Sequence, residues 1–220
     1  MNTHDLAWRG TTPIQKQRLF ISSLKERDEL IRKGKHKEAH LQLVSTCHDI
    51  INTAKAALKM TDNKILRSKW QNLLEQAKVD GEQSLISAIM LPKDDWQASD
   101  FEVAAVGLMD IVVEPGNPDD ANKASALLDE GLKRAKGKNK AGARLLLLSQ
   151  QIRAMIIASD LPFVRSSLYN LEKILNRTRM TDNKILTRVH RAIAEGHKFL
   201  AIKHAESDGL ENQRLKALNI

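Results

Sequence analysis

A seven-residue sequence occurs twice in this chain, and this repeat constrains the fold more than any other feature. Residues 60–66 read Met-Thr-Asp-Asn-Lys-Ile-Leu and return letter for letter 120 positions later, at residues 180–186. Each copy follows one stretch with apolar residues at helical spacing and precedes another, and Thr or Asp can cap a helix N-terminus. We therefore expect each copy to form a turn that ends one helix and starts the next.

The distance between the copies also predicts a regular architecture. An offset of 120 residues divides into three units of about 40 residues, each a helix, a tight turn and a second helix. Because one helix pair cannot bury its apolar stripe alone, stacked pairs would share a core. Helix starts are expected near Ser22, Asp62, Asp100, Gly142 and Asp182, with turns at Gly34-Lys35, Asp80-Gly81, 115–118 and 159–162.

Composition favours helices over strands. Aromatic residues make up only 4% of the chain, with ten Gly and five Pro, while the abundant Ala, Leu, Lys, Glu and Gln are good helix formers. We expect an all-α fold of stacked helical hairpins, either a tetratricopeptide-like solenoid or an irregular helical bundle. The expected divisions are an N-terminal arm (1–20), a helical-hairpin repeat domain (21–206) and a C-terminal tail (207–220).

Cysteine content and hydropathy indicate the compartment. Cys47 is the single cysteine, so it forms no internal disulfide, and a reducing cytoplasm is favoured. No apolar run approaches the roughly 20 residues that span a bilayer. We expect a soluble protein without a membrane partner.

Charge is distributed unevenly along the chain. Residues 1–60 carry a net charge of +5, residues 61–120 carry −7, and residues 121–220 carry +10. Two basic ends around an acidic middle predict a polyanionic partner for the ends. The alternative is that these charges are the ordinary solvated faces of helices.

Clustered basic residues are the candidates for contact with nucleic acid. Such side chains neutralise phosphates and release counterions, which gives affinity independent of base sequence. With so few aromatics to stack on bases, contact with the duplex backbone is the better fit. The candidates are Arg9, Lys16, Arg18, Lys133, Arg134, Lys136, Lys138, Lys140, Arg177, Arg179, Arg188 and Arg191.

Catalytic motifs are scarce. The chain has no Gly-rich phosphate loop, no His-Glu-x-x-His and no Gly-x-Ser-x-Gly. The candidates for nuclease chemistry come from the run of acids that follows Lys93, with Asp94, Asp95 and Asp100 first among them, and they would need Mg²⁺ to activate water. Outside that interpretation we expect no metal site and no cofactor.

The order of short motifs resembles a known family. Thr12-Pro13-Ile14-Gln15 is followed by basic residues, and residues 70–76 form a Trp-led segment with Leu-Glu-Gln. Ser99-Asp100-Phe101 opens an Ala-rich helix, and Met180-Thr181-Asp182 precedes Arg188-Val189-His190-Arg191. In this order the motifs resemble the small terminase subunits of temperate, contractile-tailed phages. The family's Pro- and Trp-rich run before this Trp is reduced here to Arg67-Ser68-Lys69-Trp70, and its long basic tail has no match in the residues up to Ile220.

The resemblance implies a role in viral genome packaging. A protein of this family recognises concatemeric phage DNA in the host cytoplasm and presents it to the large ATPase subunit, usually as a homo-oligomer. Members are often labelled the endonuclease subunit, but no catalytic residue carries over to this chain. The rival hypothesis from the residues alone is a tetratricopeptide-like protein–protein adaptor that binds no DNA.

Overall fold

The fold is all-α, as expected. A computed structural model describes residues 11–112, 118–137 and 140–217, and for 208–217 it describes the backbone only. Over these ranges the chain forms eight α-helices and a short π-helix, and no strand. The helices are α1 (Pro13–Arg32), α2 (His36–Met60), α3 (Lys64–Ile89), α4 (Ala98–Gly107), the π-helix (Leu108–Val112), α5 (Pro118–Arg134), α6 (Ala141–Ile157), α7 (Leu161–Arg177) and α8 (Asn183–Ala217).

The helices group into two compact units rather than one repeat domain over 21–206. Unit 1 comprises Met1–Trp96 and Val103–Val113, and unit 2 comprises Gln97–Glu102 and Glu114–Ile220, so the division falls inside α4. Residues 13–20 of the expected arm belong to α1, and residues 207–217 of the expected tail continue α8. None of the described helices combines the length and the apolar character needed to cross a membrane.

Helix α1 begins earlier than the apolar spacing predicted. Thr12 caps it, because its hydroxyl accepts a hydrogen bond from the Gln15 amide at 3.2 Å while the Gln15 side chain accepts one from the Thr12 amide at 2.8 Å. Pro13 follows the cap, where its fixed φ suits a first helical turn. The start expected near Ser22 is therefore wrong, because this capping box had already started the helix.

Three helices pack together in unit 1, with consecutive helices antiparallel. Helices α1, α2 and α3 each contact the other two, and the π-helix packs against α2 and α3. The core is formed by an apolar stripe on α2 and its counterpart on α3, including Ile50, Ile51, Trp70 and Leu85. The π-helix is also tied to α2 by a pair between His48 Nε2 and an Asp110 carboxylate oxygen, 2.6 Å apart.

The turn expected at Asp80-Gly81 is wrong, because both residues lie inside α3. Gly81 is there for close packing: a Cβ built on it would lie 2.9 Å from Cys47 Cβ and 3.2 Å from Ile111 Cδ1. Glycine thus marks a close helix contact here, whereas the turn expected at Gly34 is confirmed, with Gly34 at φ +74°.

Unit 2 repeats the three-helix arrangement and adds one helix. Helices α6, α7 and α8 each contact the other two, and α5 packs against α6. Two side-chain contacts show that helices α7 and α8 are antiparallel. His197 Nε2 lies 2.9 Å from Glu172 Oε1, and Arg165 Nη2 lies 3.1 Å from His204 Nε2. In both units, one copy of the repeated sequence joins the second and third helices of the three.

Candidate nucleic-acid interface

Two basic clusters that are separate in sequence meet at one end of unit 2. Because α5 to α8 are joined by short connections, consecutive helices run antiparallel, and the α5–α6 and α7–α8 connections share one end. A Cβ on Gly142, in the first turn of α6, would lie 3.1 Å from Ile185 Cδ1 and 3.5 Å from Met180 Cε, both in the second repeat copy. We call residues 133–144 and 177–191 the basic end of unit 2.

The basic end of unit 2 is strongly cationic and open to solvent. Its two segments hold eleven Lys and Arg but a single acid, Asp182. Among the described residues of this set, every Lys and Arg side chain is exposed. Those that the sequence predicted for DNA contact are Lys133, Arg134, Lys136, Lys140, Arg177, Arg179, Arg188 and Arg191; Lys138 lies outside the described residues.

Some of these cations are engaged within the protein. Lys133 pairs with Glu130 at 2.5 Å, and this hydrogen bond raises the pKa of Lys133 and lowers that of Glu130. Arg191 pairs with Glu195 at 2.8 Å. Arg188 lies 3.4 Å from Glu102, whose pKa is raised mainly by burial and lowered in part by Arg188.

Six other cations of the basic end are available to a ligand. In the part of the chain that the structure describes, six exposed side chains of the basic end have no ion-pair partner. They are Lys136, Lys140, Arg144, Arg177, Arg179 and Lys184. An array of unpaired cations of this size supplies phosphate contacts without first breaking internal salt bridges.

Helix ends add to the positive potential at the basic end of unit 2. The N-termini of α6 and α8 lie there, and unsatisfied amides at a helix N-terminus carry partial positive charge. Asp182 caps α8 by accepting hydrogen bonds from the Lys184 and Ile185 amides at 2.8 and 3.2 Å. The single acid of this surface therefore already has a structural role.

The opposite end of unit 2 carries three acids among cations, and Lys123 there pairs with Asp120 at 2.9 Å. Asp119 and Asp120 lie in the first turn of α5, and Asp160 caps α7 by accepting from the Phe163 amide at 3.0 Å.

The cations predicted on the N-terminal side form no comparable surface. Lys16 is used internally in an ion pair with Asp49 of α2, leaving its side chain 14% exposed. Arg18 is exposed on α1. Arg9 lies outside the described residues. The described part of this cluster thus contributes Arg18 at most to a ligand surface.

The three candidate catalytic acids have local structural partners. Asp95 forms an ion pair with Lys37 at 3.1 Å. An Asp100 carboxylate oxygen accepts a hydrogen bond from the Gln97 amide at 2.8 Å at the start of α4. Asp94 lies between α3 and α4. Across the described residues, no three or more His, Cys, Asp or Glu side chains form a group that could hold a metal ion.

Five exposed cations around the first repeat copy belong to none of the DNA-binding candidates identified from the sequence. They lie at the end of α2 and the start of α3, where the second copy has its own cations in unit 2. The repeat is the signal that points to them, since it marks equivalent turns. They are Lys55, Lys59, Lys64, Arg67 and Lys69.

Comparisons with known proteins identify no relative. No protein-family model matches the chain, and no curated protein or solved structure matches it either. The resemblance to terminase small subunits therefore stays a prediction that rests on the motifs of the sequence.

Proposed function

We propose that this protein binds duplex DNA and serves as the small, DNA-recognition subunit of a phage terminase. The observation that carries the DNA-binding part is the basic end of unit 2, where two clusters distant in sequence form one exposed cationic surface. The order of sequence motifs supports the narrower assignment to the terminase.

Contact with the phosphate backbone is the expected mode of binding. The segments of the basic end contain no Phe, Trp or Tyr, so they offer no platform on which unpaired bases could stack. Lys and Arg side chains can instead neutralise phosphates of a duplex, with helix N-termini adding to the potential. The surface thus accounts for affinity, and the proposal includes no hydrolytic step.

In this proposal the protein works in the host cytoplasm as a homo-oligomer. It holds concatemeric viral DNA and presents it to the large ATPase subunit of the terminase. The acidic residues of segment 61–120 are the ones to test for contact with that partner.

The decisive experiment is duplex-DNA affinity across a salt series. With six phosphate contacts, log K should fall against log salt with a slope of about −5. The variant K140E/R179E/K184E should weaken binding at least about tenfold and make the slope shallower by about 3. These three side chains have no ion-pair partner in the described structure, so the variant should keep its fold.

A matched control reverses three cations elsewhere in unit 2. K123E/K198E/K203E produces the same change in net charge outside the basic end. Because Lys123 and Lys203 pair with Asp120 and Glu206, circular dichroism should check that this control keeps its fold. The control should retain most of the affinity and the slope. Absence of binding by the unmodified protein even at low salt would contradict the proposal and favour the protein–protein adaptor.

A further inference from the structure

The first repeat copy lies in a second exposed basic surface, at the α2–α3 end of unit 1. Five cations surround the turn, and each is exposed. Between residues 50 and 74 the only acid is Asp62. We call Lys55, Lys59, Lys64, Arg67 and Lys69 the basic turn of unit 1.

The basic turn of unit 1 is nearly free of internal neutralisation. Arg67 donates a hydrogen bond to the Leu58 carbonyl at 3.2 Å, which helps to close the turn. Over the described residues, the four lysines have no ion-pair partner. Their charge is therefore available to an external anion.

Cations recur at equivalent places around the two copies. Lys59 and Arg179 each precede the Met of their copy, and Lys64 and Lys184 are the same residue of the repeat. Lys69 and Arg188 each lie six residues after the cap of the helix that follows. The chain thus carries the same cationic turn twice.

Packing does not account for the identity of the two copies. In the first, Met60, Ile65 and Leu66 are exposed by 50%, 69% and 41%. In the second, Met180 and Ile185 are half-buried near Gly142. Since the apolar residues of the two copies have different surroundings, what the copies share is a capped turn with exposed polar and charged side chains.

We propose that the basic turn of unit 1 is a second duplex-binding surface, so that each chain holds DNA at two sites. This inference rests on the proposed function of the basic end of unit 2. The ligand class is again the phosphate backbone, because residues 55–69 contain no Phe, Trp or Tyr and the adjacent Trp70 is buried. Two linked weak sites give a long duplex higher avidity than either site alone.

The test is the number of short duplexes that each chain binds. With duplexes of about ten base pairs, one surface can hold one duplex, and titration calorimetry at low salt should give two per chain. K59E/K64E should bind one, K140E/R179E/K184E should bind one, and the combined variant should bind none.

The matched control within unit 1 is K33E/K35E. It has the same change in charge, but Lys33 and Lys35 are already paired with Glu29 and Glu38 at the opposite end of α2. It should still bind two short duplexes. Circular dichroism should show that each variant keeps its helices. The uncharged K59Q/K64Q should show an intermediate loss of duplex binding.

The outcomes separate the two proposals. One duplex per chain, lost in K140E/R179E/K184E but kept in K59E/K64E, overturns the second surface and leaves the proposed function intact. No bound duplex for the unmodified protein overturns both. If K59E/K64E loses binding to phosphatidylglycerol vesicles while duplex stoichiometry is unchanged, the surface binds lipid and the inference is wrong.

Discussion

The two copies of the repeated sequence are identical, yet they start their helices one residue apart. In unit 1 the cap is Asn63, whose side chain accepts from the Ile65 and Leu66 amides at 3.0 and 3.1 Å. In unit 2 the cap is Asp182, one position earlier in the repeat. Accordingly, α3 begins at Lys64 while α8 begins at Asn183.

The buried stripe of the following helix explains the shift. Trp70, Leu73 and Ala77 are buried seven, ten and fourteen residues after Asn63. Val189, Ala192 and Gly196 are buried at the same three distances after Asp182. A shift of one residue turns a helix by about 100°, so moving the cap keeps the apolar face directed at the core.

The choice of capping residue therefore depends on packing as well as on the repeated sequence. The repeated sequence specifies a turn and offers two adjacent residues that are both good caps. The apolar stripe downstream then selects between them, because burial of that stripe contributes more free energy than the difference between Asn and Asp as caps.

The largest expected effect is at the first buried position of the stripe, which is Trp70 in unit 1 and Val189 in unit 2. W70A should lower the free energy of unfolding by about 3–5 kcal/mol, whereas V189A removes two methyl groups and should cost about 2 kcal/mol. Urea denaturation followed by circular dichroism measures both. Equal losses would contradict the difference between the two stripes.

Cys47 provides a separate readout of unit 1. Burial raises the pKa of its thiol to about 12, so labelling by a thiol reagent at neutral pH requires unit 1 to open. W70A should accelerate labelling by about 10²–10⁴-fold, as its free-energy loss implies. V189A should leave the rate nearly unchanged, and equal acceleration would mean that both units open together.

Eighteen residues after the cap the two helices differ in residue type, since α3 has Gly81 and α8 has Leu200. G81A should destabilise the protein by about 1 kcal/mol, because overpacking against Cys47 costs about 1–3 kcal/mol and helix propensity returns about 1. Thermal unfolding measures this, with E75A, which removes an exposed side chain of α3, as control. A more stable G81A would show that the close contact with Cys47 carries no cost.

Alanine substitutions in the two repeat copies should lower stability at a different repeat position in each copy, and by smaller amounts. N63A and D182A should each cost about 1 kcal/mol, since each removes the acceptor of two amide hydrogen bonds. D62A and N183A, at the corresponding positions that do not cap, should cost less than about 0.5 kcal/mol. Chemical denaturation distinguishes the pairs, and equal losses for D62A and D182A would show that both copies use the same cap.

The smallest expected effect is at Glu102, which pairs with Arg188 of unit 2. In unit 1 the position equivalent to Arg188 is Lys69, which has no acidic partner over the described residues. Burial raises the pKa of Glu102, so the folded state holds this proton more tightly than the unfolded state. Stability from the protonated group is present below the unfolded pKa and is lost as pH rises through the folded pKa. E102Q should therefore flatten the fall in stability above about pH 4.5; an unchanged pH profile would contradict this.

The sequence predicted the fold class and several turns because those depend on local chemistry. Low aromatic content indicated helices, and the turns at Gly34 and at 159–162 were confirmed. Gly81 misled because glycine serves both turns and close packing, and only the neighbouring helix distinguishes them. The start of α1 was misplaced because its capping box lies before the apolar periodicity begins.

The candidate site was predicted in parts but not as a whole. Both basic clusters of unit 2 were evident from charge alone, but their meeting depends on the contact of Gly142 with Met180 and Ile185, which no local pattern encodes. The sequence also did not predict which cations form ion pairs. Nothing in it distinguishes Lys16, which pairs with Asp49, from Lys140, which has no ion-pair partner in the described structure.

The concentration of unpaired cations at one end of unit 2 has a kinetic consequence. Unpaired cations are concentrated at the basic end, whereas at the other end Asp120 pairs with Lys123, so this unit carries an electric dipole along its helices. In the field of a polyanion, such a dipole is rotated with its positive pole forward before any contact forms. Encounters are then productive more often, and the association rate should fall steeply as added salt shortens the range of that torque.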